Sequence, residues 1–244
     1  MRRAGAVRRG GVLRVLTAAM LAVGIIAGVA ACSLIGGDST VPVATAKPPT
    51  GTDGAVDFDG RFLTVGSGAK HVDLWFDPMC PVCGAFEKAI GDTLTSAVAD
   101  DSITLRLHPL TFLDRSSNGT AYSTRAVAAL TCVGVRSPND ALPYYRSLFA
   151  HQPAEGSDGL TDKQLAALAA DLRLTGIDAC IGRDGPYQAW AQANTAASQS
   201  GPITIDGKKV LDRIEGTPTV FVGGKQFTGS VDDAAAFRAF LAKN

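Results

Sequence analysis

The sequence predicts an α/β fold. A strand–helix–strand unit opens the folded domain, an all-helical block interrupts it, and a strand hairpin and one helix close it. Three observations carry this. Cys80 and Cys83 sit where an apolar, strand-like run gives way to helical periodicity. Residues 116–200 are Ala-rich and carry helical patterns with no strand signal among them. Strand signals then return, and Gly223-Gly224 marks a tight turn ahead of a last amphipathic segment.

The chain has 244 residues, and its first part does not read as folded domain. Arg2, Arg3, Arg8, Arg9 and Arg14 form a basic segment, and residues 15–31 are apolar. The run ends Val29-Ala30-Ala31-Cys32, with small residues just ahead of a cysteine. Residues 1–31 therefore read as an export signal. Its end is similar to a bacterial lipobox, with Cys32 as the lipid-bearing residue. The alternative is an uncleaved transmembrane anchor, because the run is nearly long enough to span a bilayer. Both readings place the domain outside the cytoplasm, tethered to the membrane of the cell envelope. Residues 32–54 are rich in Gly, Pro, Thr and Ser without periodicity and read as a flexible tether. The remaining ~190 residues fit one domain with an insertion, ample for a core. Residues 55–115 form its first part, 116–200 the helical insertion and 201–244 its second part.

The elements follow in order. Residues 58–65 alternate weakly through Phe58, Phe62, Leu63 and Val65, with Asp59-Gly60 as a turn, and predict a short hairpin. The run from Val72 to Phe76 predicts a buried central strand. Over residues 81–99, Val82, Phe86, Ala89, Ile90, Leu94 and Val98 recur at steps of three and four, the spacing of one helix face. Pro81 stands at the first helical position, where a missing N–H costs nothing. Ile103-Thr104-Leu105-Arg106-Leu107 alternates strictly and predicts a second strand, ended by Pro109. In the block, helices are predicted at 120–133, 140–150 and 186–200, and another behind a capping box at Thr161-Asp162-Lys163-Gln164. Ile203-Thr204-Ile205 and Thr219-Val220-Phe221-Val222 read as strands. Residues 230–233 read as a second capping box, before a helix that buries Ala234, Phe237 and Leu241.

All 23 acidic residues follow Cys32, whereas five of the 23 basic ones precede it, which leaves 18 basic side chains and a formal charge of −5 on the mature chain. That balance points away from nucleic acid and gives no attraction to anionic lipid. His71, His108 and His151 lack metal-ligand spacing and a partnered nucleophile, and read as surface or strand-end residues. No Gly-rich phosphate loop or paired catalytic carboxylates stand out, so neither metal nor cofactor is expected. With Cys32 set aside, four cysteines allow three pairings. The local Cys80-Pro81-Val82-Cys83 makes 80–83 with 132–180 the economical one.

Two thiols two residues apart can close into a disulfide and reopen with little backbone movement. Cys80 falls at the helix N-cap, facing free N–H groups and the positive end of the helix dipole. That environment lowers a thiol's pKa and makes it reactive. Cys83 lies nearly a turn further in, more buried, as the resolving thiol. A zinc finger would need a second cysteine pair, and Gly84 stands where haem attachment needs His.

Three features together resemble the DsbA-like thiol:disulfide oxidoreductases of the thioredoxin superfamily, over residues 56–242. They are Asp77-Pro78-Met79-Cys80-Pro81-Val82-Cys83 after the first core strand, an all-helical insertion, and Gly216-Thr217-Pro218-Thr219-Val220-Phe221-Val222-Gly223-Gly224-Lys225. The resemblance implies a thioredoxin fold with a helical insertion, catalytic Cys80 and Cys83, and a cis Thr217-Pro218 loop that holds substrate backbone. It implies a structural disulfide between Cys132 and Cys180 joining two helices of the insertion. It also implies reduced exported clients and a membrane quinone-linked reoxidase of the DsbB or vitamin K epoxide reductase type. Val82 replaces the His of the strongest oxidants, so a less oxidising couple is expected. Many relatives carry a buried acid where this chain has Leu74. Asp73 lies on the opposite strand face and Asp77 at the strand end; either could relay a proton to Cys83 through water, but the favoured reading of both is a solvated strand-edge charge. The reading is of a monomer that introduces disulfides into secreted or cell-envelope proteins. A reductase or isomerase on the same fold, or a redox-inactive chaperone-like lipoprotein, is the alternative.

Overall fold

The computed structural model describes residues 41–182 and 184–244. The export signal, Cys32 and the first part of the tether lie outside them. Short strands β1 (Thr52–Asp53), β2 (Val56–Asp57) and β3 (Phe62–Val65) are followed by β4 (Lys70–Phe76), helix α1 (Pro81–Ala99) and β5 (Ile103–Pro109). Helices α2 (Tyr122–Arg136), α3 (Ala141–Ala150), α4 (Asp162–Asp171), α5 (Asp178–Ile181) and α6 (Pro186–Ser200) come next. Strands β6 (Ile203–Ile205), β7 (Lys208–Leu211), β8 (Thr219–Val222) and β9 (Lys225–Gln226) and helix α7 (Ala234–Lys243) complete the chain.

The main sheet has seven strands in the order β1-β2-β3-β5-β4-β8-β9. β4 is parallel to β5 and antiparallel to β8. Val72, Leu74 and Phe76 on one face and Asp73 and Trp75 on the other are all buried, as befits a strand covered on both sides. The first face meets Phe86, Ile90 and Leu94 of α1 in one continuous core that reaches α7 and the helical block. α7 joins α1 through an edge-to-face pair of Phe86 and Phe237 rings. On the second face Trp75, Leu110 and Phe221 pack with Ile203, Ile205 and Ile214. β6 and β7 thus form a separate two-stranded sheet laid over the main one. The predicted strand at Ile203 exists, outside the main sheet.

Several details differ from the sequence reading. The hairpin expected at 58–65 pairs Val56 with Leu63, so its first strand precedes Phe58. Part of the segment read as tether is tied to the domain: β1 pairs with β2, and Gln192 holds the Pro42 carbonyl and the Ala44 N–H. α2 starts at Tyr122 rather than Thr120, because its caps come from elsewhere: Ser117 Oγ accepts from Tyr122 N, and the Asp114 carboxylate accepts from Thr124 N. The capping box of Thr161 and Gln164 forms in full. The one expected at 230–233 does not: Asp233 caps α7 alone, through Ala236 N, while Ser230 Oγ bonds Asp232. α5 has four residues, too few for periodicity to reveal. It carries Cys180, whose sulfur is bonded to that of Cys132 in α2, with the Cα atoms 6.0 Å apart.

Candidate active site

β4 ends at Phe76 and α1 begins at Pro81, so the four residues between them must turn the chain from sheet to helix. Cys80 N–H donates to the Asp77 carbonyl at 3.0 Å, and Cys80 is the N-cap with an extended backbone. Pro81 takes the first helical position. Cys80 and Cys83 are both free thiols and both buried, Cys83 more deeply. Val82 between them is exposed.

The two thiols titrate in opposite directions. Cys80 is lowered to about 6, chiefly by a hydrogen bond from Cys83, with Thr217 and the N–H groups of Val82 and Cys83 adding to it against the opposing effect of burial. Cys83 is pushed well above the ordinary thiol value, first by burial and then by its neighbour Cys80. The site therefore holds one sulfur ready to ionise and one kept protonated, and the proton on the second stabilises the charge on the first.

Register brings the 217–218 loop to this pair. Trp75 near the end of β4 faces Thr219 at the start of β8, so the residues just before β8 lie beside the turn that follows β4. Thr217-Pro218 is a cis peptide, as is Gly201-Pro202. The Thr217 carbonyl accepts from Cys80 Sγ at 3.3 Å.

Two residues of the site were not legible as such. Asp77, expected to be solvated, is fully buried. Its carboxylate accepts from Met79 N at 2.8 Å, Ser123 Oγ at 2.6 Å and Leu113 N at 2.9 Å. Burial outweighs these three donors and lifts it to about 7. The error has a physical cause: Leu113 and Ser123, which enclose the carboxylate, are distant in sequence and belong to the connection after β5 and to α2. Gln152, just beyond α3, donates through Nε2 to the carbonyls of Pro78 at 3.0 Å and Cys80 at 2.9 Å. A lone glutamine more than seventy residues away gives no sequence signal. Between α1 and α3 a cleft of about 680 Å³ opens, bordered by Gly84, Lys88, Phe149 and Gln152.

Of the three histidines expected at the surface or at strand ends, His108 departs from that reading. His108 is buried, bonds Asp73 at 2.9 Å and stacks on Trp75 with ring centroids 4.0 Å apart. Burial lowers its pKa, against the pull of Asp73. His71 bonds Asp206, and only His151 is an exposed residue. Cys132 and Cys180 lie within the helical block, apart from the Cys80 turn. Among the described residues no helix is long and apolar enough to cross a membrane, and no group of three or more His, Cys, Asp or Glu is placed to hold a metal ion.

A family model described as Thioredoxin matches residues 66–243. The reduced disulfide bond oxidoreductase DsbG of Mycobacterium tuberculosis is similar in structure, with a TM-score of 0.60 and 26% identity over 83% of this chain and 86% of that one. Oxidised DsbA of the same organism gives 0.59 and 26%, over 83% and 91%. MdbA of Actinomyces oris, a thiol-disulfide oxidoreductase, shares the fold at 0.60 and 20% identity, over 82% and 97%. In sequence, 115 residues (46% of this chain) are 39% identical to the serine/threonine-protein kinase PknE of Mycobacterium tuberculosis, but they span only 20% of that protein. The chain belongs to the thioredoxin family and is built on the DsbA-like fold of protein-disulfide oxidoreductases.

Proposed function

We propose that this chain is an exported, membrane-tethered oxidoreductase that donates the Cys80–Cys83 disulfide to newly exported proteins of a bacterial cell envelope. The observation that carries the reading is the placement of two free thiols, Cys80 and Cys83, at a helix N-terminus beside the Thr217-Pro218 loop, where Cys80 is favoured to ionise and Cys83 to stay protonated. In the oxidised enzyme a client thiolate attacks Cys80 Sγ. A client–Cys80 disulfide forms, the Cys80–Cys83 bond breaks, and Cys83 leaves and takes up a proton. The client's second thiolate then attacks its own mixed disulfide and Cys80 leaves as thiolate. Two electrons have passed from client to enzyme, and a client disulfide remains. A thiolate stabilised at Cys80 makes the reduced enzyme the favoured product, which gives the reaction its direction. Thr217 and Pro218 hold the extended client chain beside Cys80, and Cys132–Cys180 is a structural bond. Reoxidation falls to a membrane quinone-linked partner of the DsbB or vitamin K epoxide reductase type. Cys32 supplies the anchor as a lipidated residue.

The test is the reduction potential of the Cys80–Cys83 couple, together with oxidative refolding of a reduced client. A thiol at about 6 lies between thioredoxin at about 7 and DsbA at about 3.5. The potential is therefore expected between theirs, roughly −270 and −120 mV. A couple at or below the thioredoxin value, with no client oxidation, would assign the chain to the reductive direction instead.

A further inference from the structure

The turn that carries Cys80 is held from two sides. From within, the Asp77 carboxylate binds Met79 N and the Asp77 carbonyl binds Cys80 N. From outside, one side-chain amide spans the turn: Gln152 Nε2 donates to both the Pro78 and Cys80 carbonyls. The Cys80 carbonyl also accepts the first helical bond, from Gly84 N at 3.1 Å, so both its lone pairs are used. Gln152 is itself well anchored. Its N–H donates to the Phe149 carbonyl, and α3 beneath it stacks Tyr145 and Phe149 edge-on against Phe76 at the end of β4. The first turn of α1 leaves room for it, since a Cβ on Gly84 would lie 2.2 Å from Gln152 Oε1. We propose that Gln152 is a positioning residue for the redox reaction, through which the helical insertion fixes the Pro78–Cys80 turn and keeps Cys80 Sγ facing the N–H groups of α1.

The chemistry follows from the amide's polarity. Its N–H end, held at the Cys80 carbonyl, adds positive partial charge at the helix N-terminus and favours the thiolate. Alanine removes this and loosens the turn. Glutamate is nearly isosteric, but ionised it only accepts hydrogen bonds, so it faces two carbonyls with a negative charge. Gly84→Ala disturbs the same contact without altering Gln152, and alanine suits the helix better than glycine.

This inference rests on the reading of Cys80 as the reactive thiol, and the experiment separates the two. In the full reduced chain, alkylation rate is measured against pH for wild type, Gln152→Ala, Gln152→Glu and Gly84→Ala, with the labelled cysteine mapped and the melting temperature recorded. The midpoint for Cys80 is expected to rise by about half a unit in Gln152→Ala and Gly84→Ala and by about one unit in Gln152→Glu, where one unit is a tenfold loss of thiolate at low pH. A merely structural contact would lower the melting temperature and leave the midpoint in place, and that result overturns the role of Gln152. Label found on Cys83 instead of Cys80 in wild type overturns the active-site reading, and the inference with it.

Discussion

At Cys80 and Cys83 the same functional group is driven in two directions by position alone. Both are buried, but the N-cap residue has backbone N–H groups, the Thr217 side chain and a thiol donor to satisfy a negative charge, whereas Cys83 lies deeper in the core. In a Cys83→Ser variant, Cys80 should alkylate with a midpoint well below the free thiol value of about 8.5, because the serine hydroxyl can still donate to the thiolate. A midpoint at the free value would remove the basis for the proposed nucleophile. Asp77 is the other residue whose environment decides its behaviour. In the folded state it is charged only above about 7, whereas unfolded it ionises near the usual carboxylate value of about 3.9. The folded chain binds the extra proton between these limits, so stability from this residue rises as pH falls from about 7 towards 4 and is lost as pH rises through that window. Asp77→Asn should abolish this slope. It should also destabilise by about 1–3 kcal/mol, since the Asn amide turns a donor towards groups that themselves donate: Leu113 N, Met79 N or Ser123 Oγ. Urea melts of both oxidised proteins from pH 4.5 to 8 decide this; equal slopes would show that Asp77 is not titrating there.

α1 was readable to its ends because its signals are local: Pro81 at the first position and an apolar step of three and four. The active-site turn is therefore legible from the motif. α2 was misread at its start because Asp114 and Ser117, not the residue before it, satisfy its N–H groups. β7 and α5 escaped notice because four residues cannot show a period. The same distinction separates Cys80 and Cys83, given by spacing, from Asp77 and Gln152, whose burial and contacts depend on segments far along the chain. The pairing of Cys132 with Cys180 bridges α2 and α5 and closes a separation of 48 residues. On the chain-entropy model this contributes up to about 4 kcal/mol. α5 is a single short turn, and the bridge adds to what else holds it: the buried Ile181 side chain and the Gln188 amide, which donates to the Ile181 carbonyl. Replacing both cysteines with alanine should lower stability by about that amount and leave the reactivity of Cys80 unchanged. Mild reductant should open a Cys80–Cys83 bond first, because Cys132 is completely buried; mass mapping that finds both bonds opened together would contradict the separation of roles.

The molecule sets its redox site between two bodies of structure. β4, α1 and β8 supply the turn and the Thr217-Pro218 loop, while the helical block supplies Ser123 to Asp77 and the Gln152 amide to the Cys80 backbone. A change in the redox state of Cys80 should therefore register in global stability rather than remain local. The depressed Cys80 pKa gives the reduced fold stability that is fully present above the unfolded value of about 8.5 and fades as pH falls through about 6. The oxidised fold has no such thiolate and cannot share this dependence. Cys83, raised rather than lowered, adds nothing below pH 8.5. Reduced protein, with Cys132–Cys180 intact, should thus melt higher than oxidised protein at neutral pH, with the gap widening from about pH 6 to 8.5 and flat below 6. Thermal melts of both forms across that range test the link between site and fold. An oxidised form that melts clearly higher at pH 7 would mean that the Cys80–Cys83 disulfide stabilises its own fold, and a protein in that state has no thermodynamic drive to give its disulfide away.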